Sequence, residues 1–327
     1  MTQIGIFFSK KDLGPIEPLQ RARGEFLARG FEVDFIEEAE SSPREFDLIV
    51  AQQSQFGRAE VERANRIVLL ERADASISWC RRLAQDPRVV LIVKGSCLAD
   101  PTLNNHCSGR YHTSLIPEGP REPTRLILSE VELAKIVPGA GFGSYTVMDL
   151  AVGFSRWEVS DRREIDVNFM GTVKYGNRTE IDRHRGTALE ILHKMSVKKL
   201  IGAGKPLKRG EYLQKMVESK IVVSPWGFGE LCYRDFEAFL TGAILIKPES
   251  SFVKSWPDMF ATKHFYVPCR PDFQDLEEVI EDTLRNYSKW DWNRNEARDL
   301  TLRFRKPTKI AEYYTQLFQR ALGGING

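Results

Sequence analysis

Short apolar runs alternate with longer amphipathic stretches along the whole chain, the texture of an α/β protein. Ile4–Phe8 predicts a strand buried on both faces, followed by a loop with Gly14-Pro15 and a helix from Ile16 to Arg29. Gly30 stands where a helix C-terminal cap belongs, and Phe31–Ile36 alternates as a strand does. Asp47–Ala51, Arg66–Leu70, Val89–Val93 and Tyr111–Ile116 predict further strands, with helices at Gly57–Asn65 and Ser76–Gln85.

The second half is more regular. Asp166–Met170, Lys199–Gly202, Lys220–Pro225, Ala243–Lys247 and His264–Val267 predict strands. Arg178–Met195, Glu211–Ser219, Cys232–Leu240 and Asp272–Arg285 predict helices that link and follow them. Such alternation implies right-handed crossovers and parallel sheets, whose ligands sit beyond the carboxyl ends of the strands. The expected fold class is α/β with two Rossmann-like domains, at 1–155 and 165–300, and a helix with a loose tail at 301–327. Gly139–Gly143 reads as an interdomain loop, because Pro138 spoils the strand that a nucleotide-binding glycine turn needs in front of it.

Composition narrows the classes. The chain has 327 residues with 47 Lys plus Arg against 45 Asp plus Glu, a balance of +2. That does not favour a general nucleic-acid binder, although a local basic cleft stays open as an alternative. No apolar run approaches the ~18 residues of a membrane span, and no signal peptide is legible, so a cytoplasmic setting is expected. Five cysteines without a C-x-x-C pair argue against a disulfide scaffold or structural zinc. His106, Cys107 and His112 lie near one another, but a fourth metal ligand is not evident, so no metal site is expected.

The chemistry concentrates in Ser224–Gly242, a strand end, a loop with Gly227, Phe228 and Gly229, and a helix carrying Arg234 and Glu237 three apart. Glycines let a backbone approach a ligand, a helix N-terminus favours an anion, and a guanidinium holds phosphate with two hydrogen bonds. A carboxylate one turn on can accept from a sugar diol. An Arg–Glu surface pair on an ordinary strand–helix unit is the plain alternative.

The run SPWGFGELCYRDFEAFLTGAILIKP resembles the donor-binding segment of GT-B glycosyltransferases, especially the exostosin-like and bacterial "family 1" groups. VNFMGT, LIGAGKPLKRGEYLQKMVESKIVVSP and HFYVPCRPDFQDLEEVIEDTL follow the same order around it. The resemblance implies two domains facing each other across a cleft, a C-terminal helix crossing back, and transfer of a sugar from a nucleotide-sugar donor to a hydroxyl acceptor. Glu237 would take the ribose and Arg234 the diphosphate, Gly171, Thr172 and Gly227–Gly229 would supply backbone donors, and Lys205 or Arg209 further charge. Such enzymes dispense with a metal, and no cofactor beyond the donor is implied. One departure stands out: the Glu-x7-Glu spacing of many retaining enzymes is absent, since Gly229 lies eight before Glu237 and Glu230 one place later.

The acceptor's base should come from the first domain. Asp74 leads, in a loop after a strand, with a helix N-cap as its plain reading; His106 and His112 follow. The acceptor suggested is a saccharide or glycoconjugate of surface polysaccharide synthesis. The alternatives are a macromolecule, modified DNA or protein, or an inactive subunit that only binds nucleotide sugar. The basic run Arg303, Arg305, Lys306 and Lys309 reads as a solvated helix face.

Overall fold

The structure is a computed structural model that describes residues 1–106, 110–117, 119, 124–140, 145–158, 162–176, 179–197, 199–203 and 207–323. The first half contributes β1 (Thr2–Phe8), β2 (Phe31–Glu37), β3 (Leu48–Gln52), β4 (Ile67–Glu71), β5 (Val89–Lys94), β6 (Ser96–Leu98) and β7 (Ile136–Pro138). All but β6 join one parallel sheet in the order β2-β1-β3-β4-β5-β7. The second half contributes β8 (Ile165–Gly171), β9 (Lys199–Ala203), β10 (Ser219–Val223), β11 (Ile244–Pro248), β12 (Val253–Ser255) and β13 (Tyr266–Cys269). Its parallel sheet runs β13-β11-β10-β8-β9.

Each sheet is a doubly wound Rossmann-like one whose order reverses beside its first strand, between β1 and β3 and between β8 and β10. The loops at such a reversal splay apart and leave a crevice. Burial follows the sequence pattern: β3, β4 and β11 are continuous apolar-rich runs buried along their whole length, whereas β2, at an edge, alternates.

Three elements join the lobes. β6 pairs antiparallel with β12 from the other lobe. Helix Tyr145–Gly153 packs against helix Tyr233–Thr241. Helix Pro307–Gly323 returns to the first lobe, where Phe318 packs 5.5 Å from Phe26 and 5.8 Å from Phe31 between ring centres. Tyr313 there donates to the Pro138 carbonyl and Arg320 to that of Ala134. Gly242 ends helix Tyr233–Thr241 with φ 72°, and a Cβ at that position would lie 2.1 Å from the Trp157 ring, so only glycine fits both the turn and the packing.

Several expectations fail for local reasons. The helix expected at Ile16–Arg29 is two short helices, Glu17–Arg21 and Arg23–Leu27, meeting at Ala22. Of Gly57–Asn65 only Ala59–Glu62 is helical. Ser76–Gln85 forms only a 3-10 turn at Arg81–Gln85, because carboxylate and amide side chains capture the Ser76, Ser78 and Trp79 N–H groups that a helix would use. Tyr111–Ile116 is not a strand but a 3-10 turn at His112–Leu115; the Thr113 and Ser114 hydroxyls donate back to the carbonyls of Arg110 and Tyr111. Pro138 does not spoil the strand before Gly139: it ends the edge strand β7, where no partner needs its N–H. Arg305 leaves the expected solvated face, being buried and bonded to Asp149 at 2.8 Å.

Candidate active site

A cavity of about 600 Å³ lies between the lobes, a volume suited to a small-molecule substrate. The loops after β1, β4, β5 and β7 line one side; Tyr175, Arg185 and the stretches 227–229 and 231–233 line the other. It thus opens beyond the carboxyl ends of both sheets, as the strand order requires.

Two buried guanidiniums converge behind the second lobe's loops. Arg234, in the first turn of helix Tyr233–Thr241, is 9% exposed, and its Nε and Nη1 are buried without a hydrogen-bond partner. Arg185, in helix Thr179–Lys194, is also buried; Nε donates to the Trp226 carbonyl at 3.0 Å and Nη1 to the Thr172 carbonyl at 2.7 Å and the Tyr175 hydroxyl at 2.6 Å. Its pKa is lowered, first by burial and then by the charge of Arg234. Neither arginine has a carboxylate within salt-bridge distance among the described residues. Two like charges held together out of water define a place where an anion relieves both desolvation and repulsion.

The glycines serve this arrangement differently from expectation. A Cβ on Gly171 would lie 2.0 Å from Arg234 Nη2, and one on Gly227 2.6 Å from Arg185 Nη2. They make room for the arginines rather than bring backbone to a ligand. Gly229 admits the other lobe: its Cβ would stand 2.0 Å from the Asp74 carbonyl oxygen. Phe228 lines the cleft and packs edge-on against Tyr175 at 4.9 Å. Thr172 contributes its carbonyl to Arg185, an acceptor where a donor was expected. The helix N-terminus is partly spent internally, since Asp235 accepts the Cys232 N–H at 3.1 Å and is held by the buried Lys247 at 2.6 Å.

Glu237 is buried and already engaged: Arg209 bonds one oxygen, and the Tyr212 hydroxyl donates to the other at 2.7 Å. Arg209 therefore serves Glu237 rather than adding charge to the cleft. A carboxylate has about four acceptor directions, so two remain on Glu237 for further donors. Lys205 lies outside the described residues.

On the first lobe, Asp74 lines the cleft opposite Gly229 and is exposed to it. Its pKa is raised, chiefly by desolvation between the lobes and further by Glu230, against the opposing charges of Arg72, Arg110 and Lys94. The buried Lys94 donates to the carbonyls of Ala75 and Ser96 and so fixes the turn that carries Asp74. His106 is exposed at the end of a 3-10 turn and does not line the cleft. His112 is fully buried, with Nε2 3.1 Å from the Gly227 carbonyl and Nδ1 3.1 Å from Glu230 Oε1. It ties the lobes together from behind the cavity and does not face it. Glu230 completes that tie by accepting from the Ser76 N–H at 2.7 Å and the Ser76 hydroxyl at 3.0 Å.

No local motif marks Arg185; the likeness to GT-B donor domains alone gives the His184-Arg185 pair a donor-side role, against the plain reading of a structural helix face, and a physical signal exists beside it. With His184 it falls on the buried stripe Ile181, Ala188, Leu192 of an amphipathic helix, where polar residues do not belong unless something calls for them. His184 stacks on Trp226 with ring centres 5.5 Å apart, and burial lowers its pKa to about 3, so it is a neutral packing residue.

No family model matches the sequence, and no curated protein matches it. Solved structures match by fold. An alpha-glucosyltransferase in complex with UDP and a 13-mer DNA containing an HMU base aligns with TM-score 0.51 and 14% identity over 99% of this chain and 100% of that one. An alpha-glucosyltransferase with UDP-glucose and DNA containing an abasic site aligns at 0.50 and 13%, over 98% of this chain and 99% of that one. An alpha-glucosyltransferase with UDP alone aligns at 0.50 and 12%, over 98% of this chain and 100% of that one. The architecture is that of the GT-B glycosyltransferases, two Rossmann-like lobes closed on a cleft with the last helix returning to the first.

Proposed function

We propose that this chain transfers a sugar from a nucleotide-sugar donor to a hydroxyl acceptor, with the donor's diphosphate beside Arg185 and Arg234. The observation that carries this reading is the pair of buried arginines with no carboxylate in salt-bridge distance among the described residues: Arg185 lines the interlobe cleft, and Arg234 lies behind it against Gly171. As the acceptor oxygen bonds to the anomeric carbon, the bond from that carbon to the diphosphate breaks. The hydroxyl proton passes to the Asp74 carboxylate, and the departing diphosphate keeps the electron pair. The guanidiniums stabilise that charge in place before it forms. Glu237, steadied by Arg209 and Tyr212, has acceptor capacity left for the ribose hydroxyls. Neighbours of the same fold have been seen with UDP, which makes uridine diphosphate the first donor fragment to try.

The test is a thermal-shift series with uridine, adenosine and guanosine diphosphates. One of them at a hundredfold excess over its Kd should stabilise the protein by about 2.7 kcal/mol, a rise of a few degrees. No shift with any diphosphate would remove the donor assignment.

Asp74→Asn separates chemistry from binding. It is expected to lower kcat by ~10²–10⁴-fold while leaving the diphosphate-induced shift in place. A base works only when ionised. Because the pKa of Asp74 is raised, the acid limb of the wild-type rate should lie above the ordinary aspartate value of ~3.9 and be absent from the variant's residual rate. A full kcat in the variant would reassign the base.

A further inference from the structure

A second cavity, of about 500 Å³, lies on the first lobe and is lined by Trp79, Arg81, Arg82, Arg110, Thr124, Arg125 and Leu126. Four of these are arginines and none is acidic. Trp79 is half exposed at 51%, and its backbone is fixed by Glu71, which turns inward to accept the Trp79 N–H at 2.8 Å and the Ser78 hydroxyl at 2.6 Å. Arg81 is braced by the Ser78 carbonyl at 2.9 Å and the Thr124 hydroxyl at 3.3 Å. Arg82 and Arg125 are exposed, and neither forms an ion pair among the described residues.

Between the groove and the donor cleft lies Arg110. Arg110 stands over the Trp79 ring at 5.2 Å and donates through Nε to the carbonyl of Phe228, a cleft residue, at 2.8 Å. Its charge is also felt at Asp74. A chain lying in the groove and passing Arg110 would reach the cleft on the side of Phe228 and Asp74.

We propose that this groove holds single-stranded nucleic acid as the polymer that presents the acceptor hydroxyl, an inference that rests on the donor reading above. The chemistry fits on two counts. Guanidinium forks match phosphate oxygens in pairs, and a fixed, half-exposed indole offers a stacking face to an unpaired base. A cavity of this size takes one or two unpaired nucleotides, and a base inside a duplex presents no free face to the indole.

The experiment uses the full chain and a fluorescein-labelled single-stranded DNA of about a dozen nucleotides, followed by anisotropy across a salt series. Binding should weaken with salt at a log–log slope of about −0.7 per phosphate contacted. Arg82→Glu with Arg125→Glu should weaken binding by tenfold or more and flatten that slope by about 1.4, two contacts' worth. Trp79→Ala should cost roughly tenfold by loss of stacking. All three substitutions should leave the diphosphate-induced thermal shift unchanged, so failure of the donor reading and failure of this one are told apart. The proposal is overturned if the oligonucleotide fails to bind at low salt or if the variants bind it as the wild type does. It is equally overturned if polygalacturonate of matched charge competes as well as unlabelled oligonucleotide, which would make the groove a site for acidic polysaccharide.

Discussion

Arg234→Met should cut transfer by ~10²–10³-fold, the scale of losing one preorganised charge from the site of developing negative charge, with little change in the thermal midpoint. The two halves of this expectation have one cause. Arg234 has two buried, unbonded nitrogens, and its charge depresses the pKa of Arg185 beside it. Removing the charge while keeping an apolar stem of similar length takes away a desolvation cost and the repulsion of Arg185, which offset the lost attraction of Asp235 and Glu237, the carboxylates that help hold the Arg234 pKa above its ordinary value. The nearby carboxylates are not stranded, since Glu237 keeps Arg209 and Asp235 keeps Lys247. Nucleoside-diphosphate binding, read by thermal shift, should weaken with the rate. Arg185→Met should lose a similar factor in rate but also some stability, because it gives up three hydrogen bonds to Trp226, Thr172 and Tyr175. The double variant should lose less than the product of the two, because both act on one charge. An Arg234→Met protein that unfolds several degrees early yet turns over at the wild-type rate would make this arginine structural and end the diphosphate assignment.

The contrast between these two arginines marks how far the sequence can be read. Arg234 is legible because everything that places it is local: a buried strand, a glycine loop and a helix start within about a dozen residues. The same holds for Gly30 and Gly242, helix ends with φ of 86° and 72° in the structure. Arg185 is placed by partners 10 to 41 positions away, and nothing in its immediate neighbours announces them. The glycines were found for an incomplete reason, since Gly171 and Gly227 yield space to side chains that no spacing rule ties to them. The first lobe is less legible throughout. Its short turns are set by side-chain capture of backbone groups at Ser76, Ser78, Thr113 and Ser114, and such capture defeats hydrophobic periodicity. Strands β6 and β12 are three residues each, too short to carry a period, and their pairing partner lies in the other lobe.

Glu230, one place past the position a Glu-x7-Glu spacing would fill, ties the lobes together, and Glu230→Gln should reveal what its charge does there. Burial alone would raise the Glu230 pKa. The charge and contact of His112, together with the Ser76 N–H, outweigh burial and hold the carboxyl at about 2. An unfolded chain has its glutamates near 4.3, so the folded state favours the ionised form by roughly two pKa units, or about 3 kcal/mol. That contribution is fully present above the unfolded value and drains away as pH falls from about 4.3 towards 2. The glutamine keeps an oxygen for Ser76 but no charge for His112. At pH 7 the variant should therefore be the less stable protein in urea unfolding, and the gap should narrow as pH falls through that window. Because the pair joins the lobes, the variant should also loosen the cleft: the loop keeps the Arg110 and His112 bonds to the Phe228 and Gly227 carbonyls but loses the charge that faces His112, and limited proteolysis at neutral pH should cut that loop sooner. If the stability gap stays constant from pH 7 to pH 3, Glu230 contributes hydrogen bonding alone, and its charge has no part in closing the lobes.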